Sequence, residues 1–290
     1  MDKISSPRKI RKIMNKYRFK PSKSLGQNFL ADQNILKRIV EIAEITKEDC
    51  VIEIGPGMGG LTRYIAEIAK FVIAVEIDKN LIPILNDILK DCSNIEIINE
   101  DILKMDLHKL FEEKFQNQTV KVVANLPYYI TTPIVMKFLE SKVPVESLTV
   151  MVQKEVAQRM QAKPGTKDYG SLSIAVQYYS DPNILLTVPP TVFIPRPNVE
   201  SAVVRLEILK KPRTYVQRED LFFALIKDAF GKRRKTILNA LNTGDLKLDR
   251  DLLRKILQES NIEEKRRGET LTIEEYALLS NNLAKIRNNL

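Results

Sequence analysis

Histidine, cysteine and long apolar runs are what this chain has least of. Its 290 residues include one histidine, His108, and two cysteines, Cys50 and Cys92. His108 lies outside every motif described below, so a surface or capping role is expected rather than general-base work. The cysteines show no C-x-x-C spacing and no neighbouring His cluster. Both are read as reduced, which excludes a disulfide framework and a zinc site. No apolar run is long enough to span a bilayer, and no signal-peptide pattern opens the chain, so a cytoplasmic protein without membrane contact is expected. No internal repeat is apparent.

Charge is present in quantity but unevenly placed. Residues 1–23 hold nine Lys/Arg against Asp2 alone; residues 24–207 carry a net −5, and residues 208–290 a net +6. Basic ends flanking an acidic middle suit a catalytic domain with polyanion-binding parts, because phosphate contacts release counterions and supply much of the affinity for nucleic acid. Solvated basic tails are the competing explanation. In the first segment Tyr17 and Phe19 alternate with cations, as an arm that contacts phosphates and stacks on bases would have them.

The stretch Val51 to Thr62 reads as an apolar strand, a loop with Gly55, Gly57 and Gly60, and then a helical pattern. Glycines there let the chain turn sharply and approach a ligand without a Cβ in the way. Three further apolar runs, Phe71 to Val75, Ile95 to Ile98 and Val120 to Ala124, alternate with helical patterns and predict a doubly wound parallel sheet. Such sheets bind ligands outside the carboxyl ends of their strands. Glu76 stands at one such end, where it can accept hydrogen bonds from two ribose hydroxyls. Asp101 stands at another, where it can accept one from an adenine amino group, with Ile77 and Ile102 on either side of the ring. The glycines also satisfy a dinucleotide fingerprint, so nicotinamide and other adenosine cofactors both remain open on these residues.

The fourth strand end carries Asn125-Leu126-Pro127-Tyr128. An amide oxygen and a backbone carbonyl there can accept hydrogens from an exocyclic amine, and the tyrosine can stack on a flat base. With Gln27-Asn28-Phe29-Leu30, Glu53-Ile54-Gly55-Pro56-Gly57, Val75-Glu76-Ile77-Asp78, Glu100-Asp101, Phe193 to Ser201 and Arg267 to Leu271, the chain resembles the ribosomal RNA adenine N6,N6-dimethyltransferases. The resemblance implies a Rossmann-like class I methyltransferase fold, S-adenosylmethionine as cofactor, and two methyl groups on N6 of each of two adjacent adenosines near the 3′ end of small-subunit ribosomal RNA. It places Asn28 and Leu30 over the methionine end of the donor with Gly55 beside it, Gly57 among the cofactor-binding residues, Glu76 on the ribose and Asp101 on the adenine. Asn125 then stands between donor and target, and Tyr128 on the target base. Tyr129 receives no role.

Phe193, in a loop stiffened by Pro195 and Pro197, is expected either to form the second wall of the base pocket or to be a buried corner residue. Residues 1–23 are read as a basic arm, 24–208 as the catalytic domain and 209–290 as a small all-helical domain that docks RNA. Lys232-Arg233-Arg234-Lys235 and Lys265-Arg266-Arg267 are its candidate contacts. A monomer acting on an assembling small ribosomal subunit is expected. Two other readings stay open: a large-subunit ribosomal RNA methyltransferase conferring antibiotic resistance, and a non-catalytic assembly factor.

Overall fold

The computed structural model describes residues 6–116 and 118–288, so residues 1–5 of the basic arm and 289–290 of the helical region lie outside the described residues. Two compact units divide the chain. One runs to residue 157 and resumes at 181–208; the other comprises 158–180 and the chain from 209 onward.

The first unit contains α1 (Pro7–Lys16), β1 (Phe29–Leu30), α2 (Gln33–Ile42), β2 (Cys50–Ile54), α3 (Gly60–Ala66), β3 (Phe71–Glu76), α4 (Ile82–Ile88), β4 (Ile95–Asn99), α5 (Leu107–Phe115), β5 (Val120–Asn125), α6 (Thr131–Glu140) and β6 (Val145–Gln153). Helix α7 (Lys154–Gln161) leads out of it and α8 (Ser171–Tyr179) belongs to the second unit; β7 (Ser180–Val188), β8 (Phe193–Ile194) and β9 (Ser201–Ile208) then complete the sheets. Seven strands form one sheet in the order β4-β3-β2-β5-β6-β9-β7. The five from β4 to β6 are parallel, and β9 joins β6 antiparallel.

The parallel strands form where the sequence has continuous apolar runs, since both faces of such a sheet are covered. Every residue of β2 is buried, including Glu53. The strand order reverses at β2: β3 and β4 lie to one side of it, β5 and β6 to the other. Ile54 pairs with Val75 on one side and Ala124 on the other, so the loops after β2, β3 and β5 emerge side by side.

The basic arm contains a helix that was not expected. Ser6 caps α1 by accepting from Lys9 N–H, and Pro7 occupies the first turn, where its missing N–H costs nothing. Ile10, with Ile13, Met14 and Tyr17 beside it, packs on a cluster containing Phe29, Met58, Leu81 and Leu85. Those four follow helical spacing in the sequence, so the cations occupy the opposite face.

The second unit corrects the expected boundary at 208, because residues 158–180 pack with the C-terminal helices α9 (Glu219–Gly231), α10 (Ile237–Asn242), α11 (Arg250–Glu259) and α12 (Ile273–Asn288). The physical reason is aromatic. Tyr178 meets Phe222 at 5.0 Å between ring centroids, Tyr179 stacks on Phe223 at 5.9 Å and Tyr169 meets Phe230 edge-on at 6.0 Å. The Tyr169 hydroxyl donates to Leu271 O at 3.0 Å, which satisfies its buried polar end.

Asp228, also buried, accepts from Asp245 N–H at 2.9 Å and Leu246 N–H at 3.0 Å. A Cβ at Gly244 would lie 2.2 Å from Asp228 Oδ2. Gly244→Ala is therefore expected to destabilise the second unit by about 1–3 kcal/mol, by displacing a buried acceptor from its donors. Thermal or urea denaturation checks this, and an unchanged midpoint would refute it.

Candidate functional site

The reversal of strand order opens a cleft at the carboxyl ends of the strands, with about 1170 Å³ of atom-free space counting its mouth. Its walls bring together Asn28, Leu30, Gly55, Gly57, Glu76, Ile77, Asp101, Ile102, Asn125, Leu126 and Tyr128. Their convergence follows from parallel pairing, which puts every strand's carboxyl end at one edge.

The glycine loop is held from two sides. Gly57 has φ +58°, and a Cβ there would meet the Phe29 ring at 3.0 Å. Its N–H donates to Glu76 Oε2 at 3.1 Å, while Asp78 N–H donates to Oε1 at 2.9 Å. Glu76 is 4% exposed. Burial pushes its carboxyl up to about 7, with the two backbone donors and Ile77 N–H pulling the other way. A carboxylate accepts at about four lone-pair sites, so acceptor capacity beyond these backbone donors remains for ribose hydroxyls.

Ile77 is 49% exposed and Ile102 is buried, and both line the cleft; an exposed branched side chain beside a buried one suits a flat apolar ring. Asp101 uses Oδ1 on Leu103 N–H at 3.0 Å, a local turn bond that leaves Oδ2 for another donor.

Asn125 ends β5, and its Nδ2 donates to Asn28 O at 3.2 Å. With the nitrogen so engaged, Oδ1 is the end of the amide free to act as an acceptor. Leu126 N–H is taken by Met151 O at 3.2 Å, fixing the peptide that follows Asn125. Tyr128 is held through its hydroxyl, 2.8 Å from Ser201 Oγ at the start of β9, and burial pushes the phenol up.

Phe193, expected as either a pocket wall or a buried corner residue, is buried. It pairs with Leu30 in the two-stranded β1–β8 sheet, is 4% exposed, and packs in the core with Leu36, Val188 and Val203. It does not line the cleft, because β8 uses it to fix the loop of residues 24–30 from behind. His108 is exposed near the start of α5. Cys50 and Cys92 are free thiols.

Several contributors escaped the sequence reading. Gln27 accepts from Ser22 N–H at 2.7 Å and donates to Asp78 Oδ2 at 2.8 Å, tying the loop before β1 to the end of β3. Ser201 holds Tyr128. Ile10 of α1 lines the cleft. Glu53 lines it too, 1% exposed, and its Oε2 has no hydrogen-bond partner among the described residues. Ile10 has a signal in the helical spacing of the arm; Gln27, Glu53 and Ser201 stand inside the motifs quoted above, but their contacts depend on long-range pairing.

This sheet order, with a cleft at its point of reversal, is the architecture of class I methyltransferases. A dimethyladenosine transferase from Plasmodium falciparum shares the fold with a TM-score of 0.73, at 24% identity, covering 90% of this chain and 98% of that one. The 23S rRNA methyltransferase ErmE aligns with a TM-score of 0.66 at 27% identity, over 88% of this chain and 99% of its own.

The chain belongs to the ribosomal RNA adenine dimethylase family, whose model matches residues 18–278. Ribosomal RNA small subunit methyltransferase A of Alkaliphilus oremlandii is 70% identical over 285 residues, covering 98% of this chain and 99% of the relative. The protein of the same name from Clostridioides difficile is 57% identical, covering 97% of each. Membership disposes of the nicotinamide reading that the glycines alone left open.

Burial pushes Glu53 from the ordinary 4.5 up to about 8. The unfolded carboxyl loses its proton near the ordinary value and the folded one only near 8. The native state therefore binds the extra proton in that window, and stability falls as pH rises through it. Glu53→Gln removes this titration. The variant's advantage over the parent is expected to grow from pH 5 to pH 9, reaching up to about 4 kcal/mol. Thermal melts at both pH values check it, and a pH-independent difference would show that Glu53 is ionised throughout.

Proposed function

We propose that this protein transfers methyl groups from S-adenosylmethionine to N6 of two adjacent adenosines near the 3′ end of small-subunit ribosomal RNA. The observation that carries the reading is the tethered Asn125 amide, which presents an oxygen beside the glycine loop. The small-subunit assignment is supported by relatives at 70% and 57% identity that bear a small-subunit name, against 27% for the 23S enzyme.

The donor set fits the cofactor. A buried carboxylate with spare lone pairs, a strand-end aspartate with a free oxygen and an apolar pair match ribose, adenine amine and adenine ring. On this reading Glu76 takes the ribose hydroxyls, Asp101 the adenine amine, and Ile77 and Ile102 the ring faces. Asn28, Leu30, Gly55 and Gly57 surround the methionine end. When bound, S-adenosylmethionine supplies an electrophilic methyl group on a sulfonium.

The protein's own contribution is placement. Asn125 Oδ1 and the Leu126 carbonyl accept the two hydrogens of the target amine in the first transfer, and one of them accepts the single remaining hydrogen in the second, turning the lone pair out of conjugation with the ring and toward the methyl. Tyr128 stacks on the extruded base, and its face favours nearby positive charge. The departing thioether is neutral and needs no acid, and the cationic nitrogen formed at each transfer is acidic enough to give its proton to water, so in-line positioning carries the acceleration and an imidazole is not required. The basic clusters of the second unit are read as RNA-docking elements, Arg234 and Lys235 above all. Arg266 is occupied with Glu275, and Arg233 donates to Lys167 O. A monomer in the cytoplasm, working on an assembling subunit, completes the reading.

Asn125→Ala is expected to lower dimethyladenosine formation about 100-fold or more, with donor affinity changed only severalfold. Mass spectrometry of small-subunit RNA incubated with enzyme and labelled donor reads the first, calorimetry the second; unimpaired methylation would overturn the reading.

Ionised Glu76 is the better acceptor for two hydroxyls, and its carboxyl titrates near 7. Donor affinity is accordingly expected to tighten from pH 6 to pH 8, and Glu76→Gln to abolish that slope while weakening binding overall. Titration calorimetry across this range decides it, a flat parent profile counting against the ribose assignment.

A further inference from the structure

Tyr129, to which the reaction assigns nothing, is 58% exposed on the short turn that also carries Tyr128. Its ring leans on Gly26, where a Cβ would come within 3.2 Å of Cδ1 and Cε1. One side of the aromatic is thus braced by backbone and the rest faces solvent at the lip of the cleft.

The loop that braces it continues to Gln27, whose amide reaches Asp78. Beyond Asp78 lies a groove lined by Arg18, Lys20 and Lys79 together with Tyr17, Phe19 and Pro83. Its geometry follows from the end of α1. Phe19 N–H donates to Met14 O at 2.9 Å, and the Phe19 ring meets Phe29 edge-on at 6.0 Å, so its neighbours Arg18 and Lys20 are left exposed.

None of the three cations has a carboxylate partner among the described residues. The acids nearby are engaged elsewhere: Asp78 with Gln27 and Asn80, Asp87 with Lys16 and Tyr17. Arg63 of the same unit, by contrast, is paired with Asp91 at 2.7 Å. Uncompensated cations along a groove, with an exposed aromatic at its end, are the elements by which single-stranded nucleic acid is held: phosphates in the groove, a base on the ring.

We propose that this rim, from Tyr129 across residues 22–28 to Arg18, Lys20 and Lys79, is the track for the single-stranded RNA flanking the target adenosine. Tyr129 stacks on a base next to the one in the cleft and the cations take the backbone. The proposal rests on the ribosomal RNA reading above and gives that substrate a path over the surface.

Lys20→Glu/Lys79→Glu is compared with Lys47→Glu/Lys70→Glu, an equal charge change on exposed residues near the amino ends of β2 and β3. The probe is small-subunit ribosomal RNA lacking the modification, in binding titrations at several salt concentrations, with donor affinity by calorimetry as the test of folding. The first variant is expected to bind RNA about tenfold or more weakly than the second, and its log–log salt slope to fall by about 1.4, that is about 0.7 for each lost phosphate contact. Tyr129→Ala is expected to lose about tenfold in RNA affinity, and Tyr129→Phe to keep it. Donor affinity stays within twofold throughout. Equal affinities and slopes for the two double variants, with Tyr129→Ala binding as the parent does, overturn the track. A parent that neither binds nor methylates this RNA overturns the functional reading instead.

Discussion

The site depends on one alignment: β2 and β5 run parallel and in register, so that Ile54 sits opposite Ala124. One residue further on the functional residues begin, the glycine loop after β2 and the tetrapeptide that starts on Asn125, the last residue of β5. Because the strand order reverses here, no neighbouring crossover covers the gap. Slipping β2 by one residue would turn Glu53 to the sheet's other face, and slipping β5 would turn Asn125 away from the cleft, since successive side chains alternate in direction. The apolar runs that make the strands therefore also set the functional residues.

Around this alignment the loop of residues 24–30 acts as a clasp with three fastenings. Asn28 O receives the Asn125 amide, Gln27 reaches Asp78, and β1 pairs with β8. Phe193 secures the last of these from the core side, and the Phe29 ring covers Gly57. Each fastening joins segments far apart in the chain, so the cleft wall is assembled only when the whole first unit is.

That distance explains what could be read beforehand. Four of the five parallel strands were legible within a residue at each end: β2, β3 and β5 are largely buried apolar runs, and β4, a half-buried edge strand, is a shorter run bounded by turns. The strand-end residues followed, because parallel sheets expose one edge for ligands. Helix α1 was read only as a basic arm; its Ile10, Ile13, Met14 and Tyr17 stripe was outweighed by the number of cations. Phe193 was ambiguous because a corner residue and a pocket wall have the same local pattern, and only the β1–β8 pairing separates them. The transfer of residues 158–180 to the second unit hangs on aromatic contacts with α9, which no local window contains. Nor did any signal join Tyr128 to Ser201 or Gln27 to Asp78.

The tether on Asn125 bears on which bases the pocket can accept. An amide held by its nitrogen cannot swap ends, so it meets an incoming base with lone pairs and no hydrogen. Adenine offers an amine at that edge, and the two are complementary. Guanine and the deaminated base hypoxanthine offer a carbonyl oxygen instead, which would set lone pair against lone pair. On the proposed function, fixing one amide by a single backbone carbonyl sets the pocket against purines of nearly identical outline that bring an oxygen in place of the amine.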